Sequence, residues 1–520
     1  MIALWGSDVY WQGVLRQEGV SFRTDVGPRL DGVKILILDR APSPQEASRI
    51  TDYVASGGAL LGYSGHASAV WPELTLRPVR LRYIIPDGCA IFHNVGLVSV
   101  ETKGLLCSRA NTGRTNGNHA ALLVDRIGQG ARVLLPFDLA RVFEQLGATF
   151  RQFPAVTQRF PTETVSTVSR GEVRRLVAGC LRLLLAEQGL PYVHLAYVPG
   201  PGPSVFGFRI DTDFGSKSTI ESAARLADDM GIRPSWYVNV RAHGEYLPEF
   251  KRYADAGHDV QLHCYRHVVY RDYGNNRTNL ERGRATMAAA GLPVTGTVAP
   301  YGDWNPEFDR ALADLEFSYS SEFTFDFDDL PCRVVISGRP SPLLQVPVHP
   351  ISIGRLEAAH ASDSDVRCYY QSYAELQVSR QEPCFLYDHP EQISQKAEVL
   401  RQIIDDAVTR CGGTITLTDY FRWWRRREGQ AFDLSADANG ITVATANAYE
   451  DIDLVVEMGE RQARLPLRNA TPTYEELDWQ EILPAARFDT NWIRAGQVGP
   501  RVRIRELRRS LLKRLQERQG

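Results

Sequence analysis

Asp211 and Asp213 stand at the end of an apolar run, Phe206-Gly207-Phe208-Arg209-Ile210, and are followed by Phe214 and Gly215. Residues two apart on a strand point the same way, so both carboxylates can face one cavity. Carboxylates pressed together repel unless a proton or cation sits between them. Further along, a second apolar run, Val260-Gln261-Leu262, ends in His263-Cys264-Tyr265-Arg266-His267. On a single helical turn the two imidazoles would share a side, a spacing that binds metal. Each pattern taken singly also fits a helix cap or a solvated loop. The two in succession, each closing an apolar strand, point to a divalent cation. One carboxylate and two neutral imidazoles suit zinc or another first-row divalent ion and leave positions open. An ion held that way polarises a carbonyl and acidifies water, its two usual hydrolytic uses.

Two further pieces follow in order, Val298-Ala299-Pro300-Tyr301-Gly302 and Cys384-Phe385-Leu386-Tyr387-Asp388-His389-Pro390. The four together resemble the NodB-type polysaccharide deacetylases, carbohydrate esterase family four, and among them the lipid-linked-sugar deformylase branch. The resemblance covers roughly residues 195 to 425. It implies that Asp213, His263 and His267 hold the metal and that Asp211 is the general base. It also implies that His389 protonates the leaving amine and that the backbone N–H of Tyr301 helps hold the oxyanion. Arg209, Pro300, Trp304 and His349 are the candidates for substrate contact. His349, which follows the apolar run ending at Val348, either lines the cleft or packs in the barrel wall. In one respect the chain departs from the family. The family places an arginine, paired with the base, two residues before the proline of the third motif, and here Val298 stands there. Arg209 and Arg266 are the candidates to replace it. Cys264 reads as a packed residue rather than a ligand.

These residues need strands to carry them. Apolar runs at 205–211, 235–240, 259–263, 295–299, 317–320, 344–348, 383–388 and 414–417 read as strands. They alternate with helices near 217–231, 245–257, 277–290, 305–315 and 391–411. This is the pattern of a distorted (β/α) deacetylase barrel, with the candidate residues at the carboxyl ends of strands. Before it, residues 1–195 read as an open parallel α/β domain. There a strand at 33–38, a helix at 43–56 ending at Gly57-Gly58, and strands at 59–63 and 131–137 alternate. That passage resembles the class I glutamine-amidotransferase-like fold. The family's nucleophilic cysteine is missing, because Tyr63 is followed by Ser64-Gly65-His66, so a structural or gating role is expected. An amphipathic helix over 172–188 carries Val173, Leu176, Val177, Leu181 and Leu184 on one face. The Pro/Gly stretch 198–203 marks the boundary of the unit 196–428. Beyond it, 429–520 alternates with the two-residue period of half-exposed strands and implies a small antiparallel β domain.

The chain has 520 residues, enough for several domains, and a net charge of −3 that gives nucleic acid no reason to bind. Its eight cysteines form no C-x-x-C pair and read as reduced core residues. No signal peptide or bilayer-spanning apolar run is evident, so a cytoplasmic protein is expected. Residues 501–520 carry eight basic and two acidic side chains. Ile504, Leu507, Leu511 and Leu515 form one stripe there. The segment 501–515 therefore fits either peripheral contact with the inner membrane face or docking on protein. Together these readings point to metal-dependent removal of an N-acetyl or N-formyl group from a carbohydrate or glycoconjugate. The alternatives are hydrolysis of a small non-sugar amide, as in allantoinase-like relatives, and a non-catalytic carbohydrate-binding or scaffold protein.

Overall fold

The strand Phe206–Asp211 is buried at every position, because a parallel strand inside a sheet has both faces covered. It lies between Cys384–Asp388 and Ser235–Val238 in an eight-stranded sheet. From there the order continues through Asp259–Leu262, Gly296–Thr297, Tyr319–Ser320 and Arg339–Gln345. All of these pair in parallel, and Cys332–Ile336 closes the edge as an antiparallel hairpin partner of Arg339–Gln345. The structure is a computed structural model describing residues 1–484 except 25, 27–29, 156–159 and 448, together with 500, 504 and 508. The sheet curls into a half-barrel, open between Cys384–Asp388 and the hairpin edge. Crossover helices begin where polar caps allow it. The Ser216 side chain accepts from Thr219 N ahead of Lys217–Asp229, and Asp272 accepts from Asn275 N ahead of Tyr273–Ala289.

Several expected elements are corrected. The run 414–417 is not a strand: Thr414 makes one isolated bridge to Phe206. The Thr416 side chain then accepts from Asp419 N and starts the helix Leu417–Glu428. The helix expected over 391–411 is two, Pro390–Gln395 and Ala397–Cys411. The helix Asp363–Arg380 was not anticipated, since much of its buried stripe is made of Tyr369, Tyr370 and Tyr373 rather than aliphatic residues.

The N-terminal sheet is mixed, not parallel throughout. Phe22–Arg23, Ile2–Leu4, Ile35–Leu38, Ala59–Tyr63 and Gly130–Leu135 are parallel neighbours. Ala120–Ile127, Thr112–Thr115, Leu76–Ile85 and Val98–Cys107 extend the sheet in antiparallel fashion. Pro78 and Gly104 read as strand breakers, which hid this extension. Gly104 is there because a Cβ would meet the Pro136 carbonyl oxygen at 2.7 Å. The helix from Ser43 onward forms as expected over Pro44–Ala55, held by a capping box between Ser43 and Glu46. Two antiparallel pairs, Phe432–Ala436 with Ile441–Thr445 and Asp453–Met458 with Arg461–Pro466, follow the barrel. Asp453–Met458 also pairs with Tyr192–Leu195, which ties the tail of the first unit to the last. The basic segment 501–515 falls, apart from Ile504 and Arg508, outside the described residues. No helix among the described residues is long and apolar enough to cross a membrane.

The helix Arg170–Ala186 is buried on more than its apolar side. Arg170, Arg174 and Arg175 reach into the barrel. Arg174 donates to Glu18 at 2.5 Å, to Asp329 at 2.7 Å and to Glu382 at 2.5 Å. Arg175 is also paired with Glu382, and Arg380 with Glu172. One cation thus satisfies three buried acids from distant stretches of chain. Replacing Arg174 with methionine keeps much of the volume and strands the acids, a change expected to cost roughly 3–5 kcal/mol. Guanidinium denaturation of the two proteins checks this; a difference below about 1 kcal/mol would show that the network is not held together by this side chain.

Candidate metal centre and its surroundings

Asp211 ends its strand, 4 % exposed, and Asp213 follows in a left-handed conformation with φ 39°. Such a φ is uncommon for a residue with a Cβ, and here it turns the carboxylate out of the strand direction. The turn is fixed from several sides. Asn239 Nδ2 donates to the Asp213 carbonyl at 2.8 Å, and Asn239 N donates to Thr212 Oγ1 at 3.0 Å. The amide of Gly215 donates to the Thr212 carbonyl at 2.8 Å.

His263 and His267 converge on this carboxylate, but not from a helical turn. Residues 263–267 form an irregular loop, and Cys264 takes φ 59° just after the strand Asp259–Leu262. The loop is gripped by the next helix. Asn279 Oδ1 accepts from Arg266 N at 2.7 Å, and its Nδ2 donates to the carbonyls of Arg266 and Val268, both at 3.1 Å. His263 Nε2 lies 3.0 Å and His267 Nε2 2.9 Å from Asp213 Oδ1. His263 Nδ1 lies 2.9 Å from the Val298 carbonyl, the second partner that fixes a ligating imidazole with its Nε2 lone pair inward. The ligand atoms of Asp213, His263 and His267 all lie within 4.8 Å of one another. Two imidazole nitrogens aimed at one carboxylate oxygen make a donor set suited to a borderline divalent ion, so these residues fit a metal. Cys264 is fully buried and belongs to the core, as expected.

His389 Nε2 lies 3.5 Å from Asp213 Oδ2, with the imidazole 26 % exposed. Burial works against its charge, and Asp213, then Asp388 and Asp211, outweigh it and raise its pKa to about 9. Burial pushes the Asp213 carboxyl up, but the charges of His389 and His267 and the hydrogen bonds of His263 and His267 hold it well below the usual carboxylate range.

The missing arginine of the third motif is answered by Arg209. Its Nε donates to Asp211 Oδ1 at 2.7 Å and its Nη2 to Asp211 Oδ2 at 2.5 Å, a bidentate pair between residues on the same face of one strand. Nη1 is held by the carbonyl and hydroxyl of Ser321. Arg209 is fully buried, so its place is behind Asp211 rather than among substrate contacts. Arg266 is exposed and takes no part. His349 likewise packs in the wall, 3 % exposed, with Nδ1 2.8 Å from Asp328 Oδ1 and Nε2 2.9 Å from the Tyr369 hydroxyl. Pro300 is buried, and Trp304 is half-buried against Phe325. Tyr301 has φ 64°, a strained conformation at the motif expected to hold an oxyanion, and its ring stands 4.7 Å from that of His267.

Asn239, Asn279 and Glu322 were missed by sequence reasoning. Buried asparagines on a helix face where apolar residues are the norm were the available signal for Asn279. Glu322 accepts from Ala299 N at 3.1 Å and from Gln345 Nε2 at 2.9 Å, which anchors the third motif from beneath.

With this geometry in place, the chain can be compared with known families. Residues 210–320 match the family model for polysaccharide deacetylase. The match supports a NodB-type domain in this part of the chain; it does not bear on the deformylase branch or on the amidotransferase likeness of 1–195. No curated protein matches. Among solved structures, Puue allantoinase is 16% identical with a TM-score of 0.38, covering 44% of this chain and 93% of its own. A family 4 carbohydrate esterase from Streptomyces lividans in complex with acetate is 15% identical at TM-score 0.29, covering 41% of this chain and 92% of its own. The CE4 family pseudoenzyme BA3943 from Bacillus anthracis is 14% identical at TM-score 0.32, covering 53% and 91%.

Burial pushes the Glu322 carboxyl from 4.5 up to about 7, only partly offset by hydrogen bonds and Arg209. A carboxyl raised on folding binds its proton more tightly in the native state, so its contribution is full below about pH 4.5 and is lost as pH rises through 7. The loss amounts to ~3 kcal/mol. Glu322→Gln keeps an acceptor for Ala299 and removes the titration. Urea unfolding at pH 5 and pH 8 is expected to show a smaller decline for the variant than for the parent. Parallel declines would put the proton elsewhere.

Proposed function

We propose that this chain is a metal-dependent hydrolase removing an N-acyl group, acetyl or formyl, from a carbohydrate or glycoconjugate. The observation that carries the reading is the convergence of Asp213, His263 and His267 between a buttressed carboxylate, Asp211, and an imidazole, His389. Asp213, His263 and His267 would hold the ion, zinc or another first-row divalent cation. When bound, that ion supplies Lewis-acid polarisation and a lowered pKa for water.

The residues of the chain do the rest. Asp211, oriented by the bidentate Arg209 pair, accepts the proton of the attacking water. The amide nitrogen leaves poorly unless protonated, and His389, facing the cluster from the neighbouring strand, delivers a proton to it. The amide of Tyr301 faces the developing oxyanion, held in its strained turn by the anchored third motif. Residues 1–195, 196–428 and 429–520 are taken as the three units, with the first contributing no covalent chemistry. Ser64 supports that view: it is 1 % exposed and its Oγ donates to the Leu135 carbonyl at 3.0 Å, so it is buried away from any substrate.

Purified protein is expected to carry about one divalent ion per chain and to lose it when both His263 and His267 are replaced by alanine. Metal retained by the double variant removes the site assignment. Asp211→Asn is expected to keep the metal and to slow amine release by on the order of 10²–10⁴. Near-normal turnover in that variant would assign the base to another group. Amine release from allantoin-like amides, with none from N-acylated sugars, would favour the small-amide reading instead.

A further inference from the structure

Four large hydrophobic residues are prominently exposed among the described residues: Phe214, Ile504, Tyr449 and Leu483. Phe214 is the most exposed, at 68 %, and the only one of the four within 196–428. It directly follows Asp213. Its ring lies 5.2 Å from the His267 ring, at an interplanar angle of 62°, and the same imidazole meets Tyr301. An apolar ring beside a cluster of three candidate ligands is therefore held in solvent at the mouth of the site.

The exposure does not come from a loose turn. The residues on either side are fixed: the Asp213 carbonyl accepts from Asn239, and the Gly215 N–H donates to the Thr212 carbonyl. A Cβ at 215 would meet Pro390 Cγ at 3.1 Å, so this backbone lies close against the helix that follows His389. A rigid turn that keeps a phenyl ring out of the core forgoes the gain of burying it, and such positions mark contacts with a partner or ligand. The site itself selects the ligand. A flat, largely apolar surface next to a polar, charged cluster matches a molecule with a hydrogen-rich ring face and a polar amide projecting from the ring edge.

We propose that Phe214 is a substrate-binding platform on which the ring of an N-acylated aminopyranoside lies, and that it sets the preference for a sugar amide over a small free amide. The proposal rests on the deacylase reading for the direction in which the acyl group points. Only the amide nitrogen separates a sugar ring from its acyl carbon. A ring seated on Phe214 therefore places that carbon over Asp213, His263 and His267.

The test is calorimetric titration of the metal-loaded full chain with N-acetyl and N-formyl methyl aminopyranosides, in the parent and in Phe214→Ala and Phe214→Trp. Release of free amine by all three proteins is measured on the same compounds. The expected result is a dissociation constant about tenfold weaker in Phe214→Ala and restored in Phe214→Trp, with metal content equal in all three proteins. Equal affinities in the parent and Phe214→Ala overturn the proposal, as does a parent that binds none of the compounds. Phe214-dependent binding without amine release keeps the platform and sinks the deacylase reading. Amine release that ignores Phe214 does the reverse.

Discussion

The shared guanidinium of Arg174 is the contact on which the arrangement of the chain most depends. Glu18 belongs to the first helix of the N-terminal sheet unit, Asp329 to the segment beneath the third motif, and Glu382 to the turn before the strand that delivers His389. All three buried acids are paired with this one cation, and Glu382 with Arg175 as well. Neighbouring side chains extend the same seam. Arg170 donates to the Phe325 carbonyl, and Thr324, one residue earlier, donates through its hydroxyl to the Gly302 carbonyl and accepts from Trp304 N. Arg427 reaches the carbonyls of Gln17, Glu18, Leu195 and Ala196 from the last helix of the barrel. A buried ionic seam of this kind adds little net stability over an apolar one, but it admits one registration of the parts, because any slip leaves a charge unpaired.

The seam also connects the N-terminal unit to the loop bearing Tyr301. The loop bearing Tyr301 rests on Thr324 and Phe323, and the segment carrying them is held from behind by arginines of the helix Arg170–Ala186. Gly302 has no side chain to spare here: a Cβ would meet the Phe323 ring at 2.4 Å. A strained tyrosine is tolerated where its surroundings leave it no alternative.

Much of the barrel could be read from the sequence because its strands are short apolar runs that end in polar residues of distinct chemistry. Asp211, Asp213, His263 and His389 were located in this way, and Asp213, His263 and His267 do come together as a group that could hold a metal ion. The features that escaped depend on backbone conformations or on distant partners. The left-handed residues Asp213, Cys264 and Tyr301 have no common side-chain type, so nothing in their identity announces the turn. The spacing of His263 and His267 fits a helix just as well as a loop, and only Asn279 on the following helix decides between them. The antiparallel half of the first sheet hid behind Pro78 and Gly104, and the tyrosine-lined helix Asp363–Arg380 behind its polar hydroxyls.

The pairing of Arg209 with Asp211 has a consequence for how such a site can change over time. When a carboxylate and its cation come from different strands, any insertion or tilt in the intervening crossovers can pull them apart. Here both sit within three consecutive residues of one strand, so the pair travels as a unit and tolerates remodelling of everything between the motifs. Position 298 is thereby released from an electrostatic duty. Its side chain is fully buried and apolar, while its carbonyl, which any residue would supply, still orients His263. In this chain the cation beside the Asp211 carboxylate comes from within the same strand.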